Sequence, residues 1–99
     1  MIRHIVMWKL KDENKVENLK VMKEKLESLK KVIPSILELE VGINFENSKE
    51  NSTIFDIVLN TTFKDKNALI DYKMNSFHIK VDNFIKQIII KRAVIDFEI

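Results

Sequence analysis

A chain of 99 residues with 45% hydrophobic and 32% charged side chains can bury one modest core and leaves no room for a separate catalytic domain. The formal charge is +2, with lysines scattered among acidic residues, so there is no basic block for nucleic acid; the absence of cysteine excludes disulfides, thiolate metal sites and cysteine nucleophiles. No stretch approaches the roughly 20 apolar residues that span a bilayer, and Met1 to Leu10 alternates where a signal peptide would be continuously apolar, so a cytoplasmic single domain over residues 1–99 is expected, with no membrane association.

Ile2 to Leu10 reads as a strand, with Ile2, His4, Val6, Trp8 and Leu10 on one face and Arg3, Ile5, Met7 and Lys9 on the other. A helix follows, opened by Asp12 or Asn14 as cap. Glu17 stands in capping-box spacing from Asn14, and Val16, Leu19, Met22, Leu26, Leu29 and Ile33 form the apolar stripe. Pro34 marks the end of this helix. From Ile36 to Phe45 a second strand sets Leu37, Leu39, Val41, Ile43 and Phe45 against Glu38, Glu40, Gly42 and Asn44, and Glu46 to Ser52 is the expected surface loop.

The third strand, Thr53 to Phe63, places Phe55, Ile57, Leu59, Thr61 and Phe63 on one face and Ile54, Asp56, Val58, Asn60 and Thr62 opposite. Asp65 caps a short helix through Tyr72, Met74-Asn75-Ser76 interrupts it, and a further helix carries Phe77, Val81, Phe84, Ile85 and Ile88. The last strand runs from about Lys91 to Glu98, alternating Ala93, Ile95 and Phe97 with Arg92, Val94, Asp96 and Glu98.

The order is βαββαβ, an α+β class. With right-handed crossovers it gives a four-stranded antiparallel sheet whose first and third strands are central. Both helices then cover one sheet face. Apolar side chains on the other face, such as Ile5, Met7, Ile54, Val58 and Val94, would meet water unless a second copy of the sheet covers them, which predicts a homodimer. That face shows Ile5, Met7, Val58 and Asp56 where an RNA-binding sheet needs basic and aromatic residues, so no nucleic-acid partner is expected.

The segments IRHIVMWKLKDE, IPSILELEVGINF, FDIVLNTTF, DYKMNSFH and VIDFE, in that order and spacing, resemble the stress-responsive dimeric α/β-barrel family over nearly the whole chain. The resemblance implies a ferredoxin-like homodimer in which two sheets pack as a barrel. The family includes bacterial proteins of unknown role, plant stress-response proteins and a plant polyketide cyclase that closes an aromatic ring by aldol condensation. The cyclase's catalytic tyrosine and histidine match Tyr72 and His78, and its first-strand histidine matches His4. A further histidine of the cyclase falls on Ile57, and Lys23 and Glu27 stand where the cyclase lines its cavity with aromatic residues.

Read on their own residues, these positions keep two explanations each. His4 shares a face with Val6 and Trp8 and is either a buried, hydrogen-bonded histidine or a ligand-orienting group. His78 can pair with Asp82 four residues on, or serve as a general base. Tyr72 can pack with its hydroxyl at the surface, or hold a carbonyl oxygen. Both histidines and the sole tyrosine are expected to converge between sheet and helices, with Val6, Trp8 and Ile57 as further ligand contacts.

No histidine and carboxylate spacing marks a metal site, and the sole glycine, Gly42, excludes a glycine-rich phosphate loop, so no metal or cofactor is expected. Gly42 fits a bend or close approach in an edge strand. Trp8, Phe55, Phe63 and Phe84 have the spacing of core aromatics, although such rings can also stack a flat ligand.

Three functions fit this reading. The first is a homodimer binding a small apolar or aromatic molecule. The second is a cofactor-independent cyclase, lyase or monooxygenase-like enzyme using His78 and Tyr72. The third is a structural stress protein that only self-associates.

Overall fold

The first strand, β1 (Ile2–Leu10), is the spine of the molecule, with β3 (Ile57–Phe63) on one side and β4 (Ile89–Glu98) on the other. The structure is a computed structural model that describes residues 1–46 and 53–99, so the expected loop lies, after Glu46, outside the described residues. The remaining elements are α1 (Lys15–Val32), β2 (Ile36–Ile43), α2 (Lys66–Met74) and α3 (Ser76–Lys86). The sheet is antiparallel in the order β2-β3-β1-β4, which gives the ferredoxin-like βαββαβ topology, its second helical crossover broken in two.

The core forms where the alternation of β1 and β3 meets the helical stripes. Ile2, Val6, Trp8 and Leu10 of β1 and Ile57, Leu59 and Phe63 of β3 are buried against Met22, Leu26 and Leu29 of α1, Leu69 and Tyr72 of α2, and Ile85 of α3. Each such aliphatic or aromatic side chain contributes about 1.5–3 kcal/mol on burial.

The local chemistry of α1 differs from the capping-box reading. Asn14 does occupy the N-cap position, but in the left-handed region (φ 54°, ψ 28°) and without a side-chain cap hydrogen bond. A side-chain cap needs an extended backbone at that residue, and asparagine is among the few types that tolerate the left-handed conformation. Asp12 instead pairs with Lys15 at 3.0 Å.

Two strands also end differently. β2 stops at Ile43 and β3 begins at Ile57; just before it, Asp56 N donates to Trp8 O at 2.9 Å and Asp56 O accepts from Asn44 N at 2.8 Å, while its carboxylate adds an acceptor, with Leu10 N donating to Oδ2 at 2.8 Å and Lys15 Nζ 3.6 Å from the same oxygen. Asp56 is therefore buried and not part of the open face. A bulge between Ile36 and Glu38 turns Ile36 inward opposite Phe63 and leaves Leu37 exposed, since two residues there oppose one. A Cβ at Gly42 would stand 3.3 Å from Val58 Cγ1, so the close approach expected at this glycine is present.

The register of β4 corrects one expectation about the open face. Val94 lies opposite Val6 and Asp96 opposite His4. Opposed residues of an antiparallel pair point to the same side, so Val94 belongs to the helix-covered face. The open face carries Ile95 opposite Ile5, Phe97 opposite Arg3 and Ala93 opposite Met7, with Val58 beyond Met7 on β3. Ile95 is 60% exposed.

Candidate functional site

β1 delivers His4 to the helix-covered face, where it is buried, and β4 delivers Asp96 beside it, with His4 Nδ1 and Asp96 Oδ1 2.5 Å apart. The other carboxylate oxygen of Asp96 lies 3.7 Å from Lys73 Nζ. Asp65 caps α2 by accepting from Ala68 N at 2.9 Å, as its position in the sequence requires. At the far end Asn75 is extended, closes α2, and accepts from Phe77 N to start α3. The break brings Tyr72 and His78 together, ring centroids 4.4 Å apart, while the Tyr72 ring also lies 5.9 Å from His4 and 5.1 Å from Phe63.

His4, Tyr72 and His78 thus share one space, together with Val6, Trp8, Leu59, Val81 and Ile85 and, at its rim, Asp82 and Arg92. The space is about 10 Å³, room for roughly one water molecule. His78 does not pair with Asp82: its Nδ1 is 3.2 Å from the Lys73 carbonyl oxygen, and Asp82 lies 3.1 Å from Lys86 Nζ. Ile57, expected as a ligand contact, sits opposite Trp8 and is buried, but it does not line this space and instead borders a separate groove with Met7, Ile43, Phe55 and Val58. Of the aromatic set, Trp8 and Phe63 are core, while Phe55 is capped by Lys91 and Phe84 by Lys25.

The electrostatics favour neutral histidines. Burial lowers the pKa of His4, opposed by its hydrogen bond to Asp96 and that carboxylate's charge. Burial likewise lowers His78, opposed by the Lys73 carbonyl and Asp82. Burial raises the Tyr72 hydroxyl further above its usual range, so it stays protonated at neutral pH. If Nδ1 of each histidine carries its proton toward the neighbouring oxygen, each Nε2 is left as a base.

These shifts fix a pH dependence. With folded pKa values below the ordinary histidine value of 6.5, the unfolded chain binds more protons just below that pH. The stabilising contribution is therefore complete above about pH 6.5 and declines as pH falls from there through the folded values. Thermal melts should show a lower midpoint at pH 5.5 than at 7.5. A His4→Gln, His78→Gln chain should show a shallower fall over that interval; an unchanged slope would contradict the assignment.

Asp96, Lys73 and Arg92 are site residues that the sequence pattern did not single out. Alternation places 92, 94 and 96 on one face of β4, but only the register against β1 says which. The buried indole N–H of Trp8 has no acceptor among the described residues. Among those residues no group of three or more histidines and carboxylates is placed to hold a metal, and no helix is long and apolar enough to cross a membrane.

Comparison with known proteins bears on the family and the fold. The family model for the stress responsive A/B barrel domain matches residues 2–99. A dimeric protein of unknown function and ferredoxin-like fold from Bacteroides fragilis is 26% identical, with 99% of this chain and 95% of that one covered and a TM-score of 0.86. An Arabidopsis thaliana protein is 20% identical over 100% of this chain and 95% of its own, TM-score 0.84. A hydroxynitrile lyase from Passiflora edulis is 15% identical over 99% and 92%, TM-score 0.85. No curated protein matches the chain.

Proposed function

The chain belongs to the stress responsive A/B barrel domain family, and on that footing we propose that it acts as a homodimer, paired through the open sheet face, that binds a small apolar or aromatic molecule between sheet and helices. One observation carries the ligand site: both histidines and the only tyrosine of the chain come together on the helix-covered face, against apolar walls from β1, β3 and α3. A space of about 10 Å³ holds only about one water molecule, so a larger ligand requires the walls of the space to separate. The pairing is supported by the exposed apolar side chains of Ile95 and Phe97 and by dimeric relatives such as the Bacteroides fragilis protein. Native mass spectrometry of the purified chain should give a dimer, with any retained ligand as added mass. A monomer at micromolar concentration would overturn this reading, and a dimer that takes up no small molecule would leave self-association as the whole activity.

A second reading, a cofactor-independent lyase, cyclase or monooxygenase-like enzyme, is favoured by the protonation states. His78, neutral at pH 7, would take a proton from carbon next to a carbonyl, while the Tyr72 hydroxyl donates a hydrogen bond to the carbonyl oxygen and steadies the developing enolate. Such a base should speed the exchange of the methyl protons of acetophenone in deuterated water, followed by NMR. The His78→Ala chain should lose this acceleration by roughly a hundredfold or more. Exchange at the buffer rate with the unaltered chain removes the enzyme reading.

A further inference from the structure

The charges around the site do not balance within it. Asp82 is taken by Lys86 at 3.1 Å, and Asp96 is shared by His4 and by Lys73 at 3.7 Å. Arg92 also lines the space, yet among the described residues it has no carboxylate within 4.0 Å. Its neighbour in the β1–β4 register is Trp8, whose buried indole N–H has no acceptor among the described residues and which lines the same space. A buried donor without a partner costs about 1–3 kcal/mol, which an acceptor brought by a ligand would offset.

We infer that Arg92 and the indole N–H of Trp8 together receive the carboxylate of a small apolar or aromatic acid, whose hydrocarbon body points inward toward Val6, Leu59, Val81 and Ile85. The inference rests on the ligand site proposed above and names the class of molecule it takes. A guanidinium offers a planar fork of donors that fits a carboxylate, and the indole adds one more. A single unmatched positive charge suits a monoanion. A phosphate dianion would need further cations, and those at hand, Lys73 and Lys86, are already paired. After burial and their nearer partners, His4, Tyr72 and His78 all register the charge of Arg92, so it acts on the whole cluster. Arg92 is itself exposed on an edge strand, where it can meet an anion arriving from solvent before the body of the ligand is buried.

The test uses the full chain, with sodium benzoate as the acid and benzamide as its neutral analogue. With two histidines and one tyrosine in the sequence, the aromatic ring signals of the site are few enough to follow by NMR titration. Benzoate should shift the Tyr72 and His78 ring signals with a dissociation constant at least about tenfold below that of benzamide. In Arg92→Gln, whose fold is checked by its melting curve, benzoate should fall to the level of benzamide while benzamide itself is unchanged. Equal affinity of acid and amide at these rings, a preference that survives Arg92→Gln, or benzoate shifts confined to signals elsewhere would overturn the inference and leave the ligand site standing. If neither compound moves the Tyr72 and His78 signals, the ligand site fails and the inference with it.

Discussion

Replacing Ile95 with aspartate is expected to turn the proposed dimer into monomers at micromolar concentration. Ile95 lies opposite Ile5 in the β1–β4 ladder, on the face that no helix covers, and is 60% exposed in the single chain. In a two-fold pairing through that face the substitution occurs twice, and each buried carboxylate costs several kcal/mol without a partner. The dissociation constant should rise roughly a thousandfold or more, since each 1.4 kcal/mol is a factor of ten. Val94→Asp, one residue earlier and on the opposite face, supplies the control: it should leave association nearly unchanged. Sedimentation velocity on both variants decides the matter, and an Ile95→Asp chain that remains dimeric would place the interface elsewhere.

The second large effect concerns Phe63. This side chain, at the end of β3, is fully buried between Ile2 and Ile36 of the flanking strands, and its ring lies 6.3 Å from His4 and 5.1 Å from Tyr72. Truncation to alanine removes the ring from a packed core and leaves a void, at a cost of about 3–5 kcal/mol. For a domain of this size that lowers the melting midpoint by roughly 15–30 °C. Phe63→Leu, which refills much of the volume, should lose well under half as much. Calorimetry gives the midpoints, and an alanine variant within a few degrees of the parent would show that the cluster does not depend on this ring. The Tyr72 ring signals should also move in the alanine variant, because Phe63 is a direct neighbour of Tyr72.

What could be read from the sequence was what short-range chemistry decides. The β1 alternation, the Asp65 cap and the helix break at Asn75 each depend on a few adjacent residues, and all three appear where the pattern puts them. The central positions of β1 and β3 followed from their two apolar faces and the handedness of the crossovers. Register was not legible, since it is set by contacts between distant segments. Hence Val94 was assigned to the wrong side, and the pairing of Asp96 with His4 could not be foreseen. The bulge at Ile36/Glu38 reversed Leu37 and Ile36 for the same reason. Asn14 departs from expectation because its left-handed backbone leaves the side chain without a cap hydrogen bond, and Asp56 because its carboxylate accepts from Leu10 N. The meeting of His4, Tyr72 and His78 was anticipated; the unmatched charge of Arg92 emerged only once every carboxylate nearby had found its partner.

On β1 the residues of the site and of the open face alternate: His4, Val6 and Trp8 face the helices, and Ile5 and Met7 face away. Such a strand can accept substitutions one by one, but not a change in length. Inserting or deleting one residue near its start would turn Ile5 toward the helices and His4 away from them, exchanging two surfaces at a single step. A change of length is therefore better accommodated in the connections between elements than near the start of β1, where it would exchange the two surfaces.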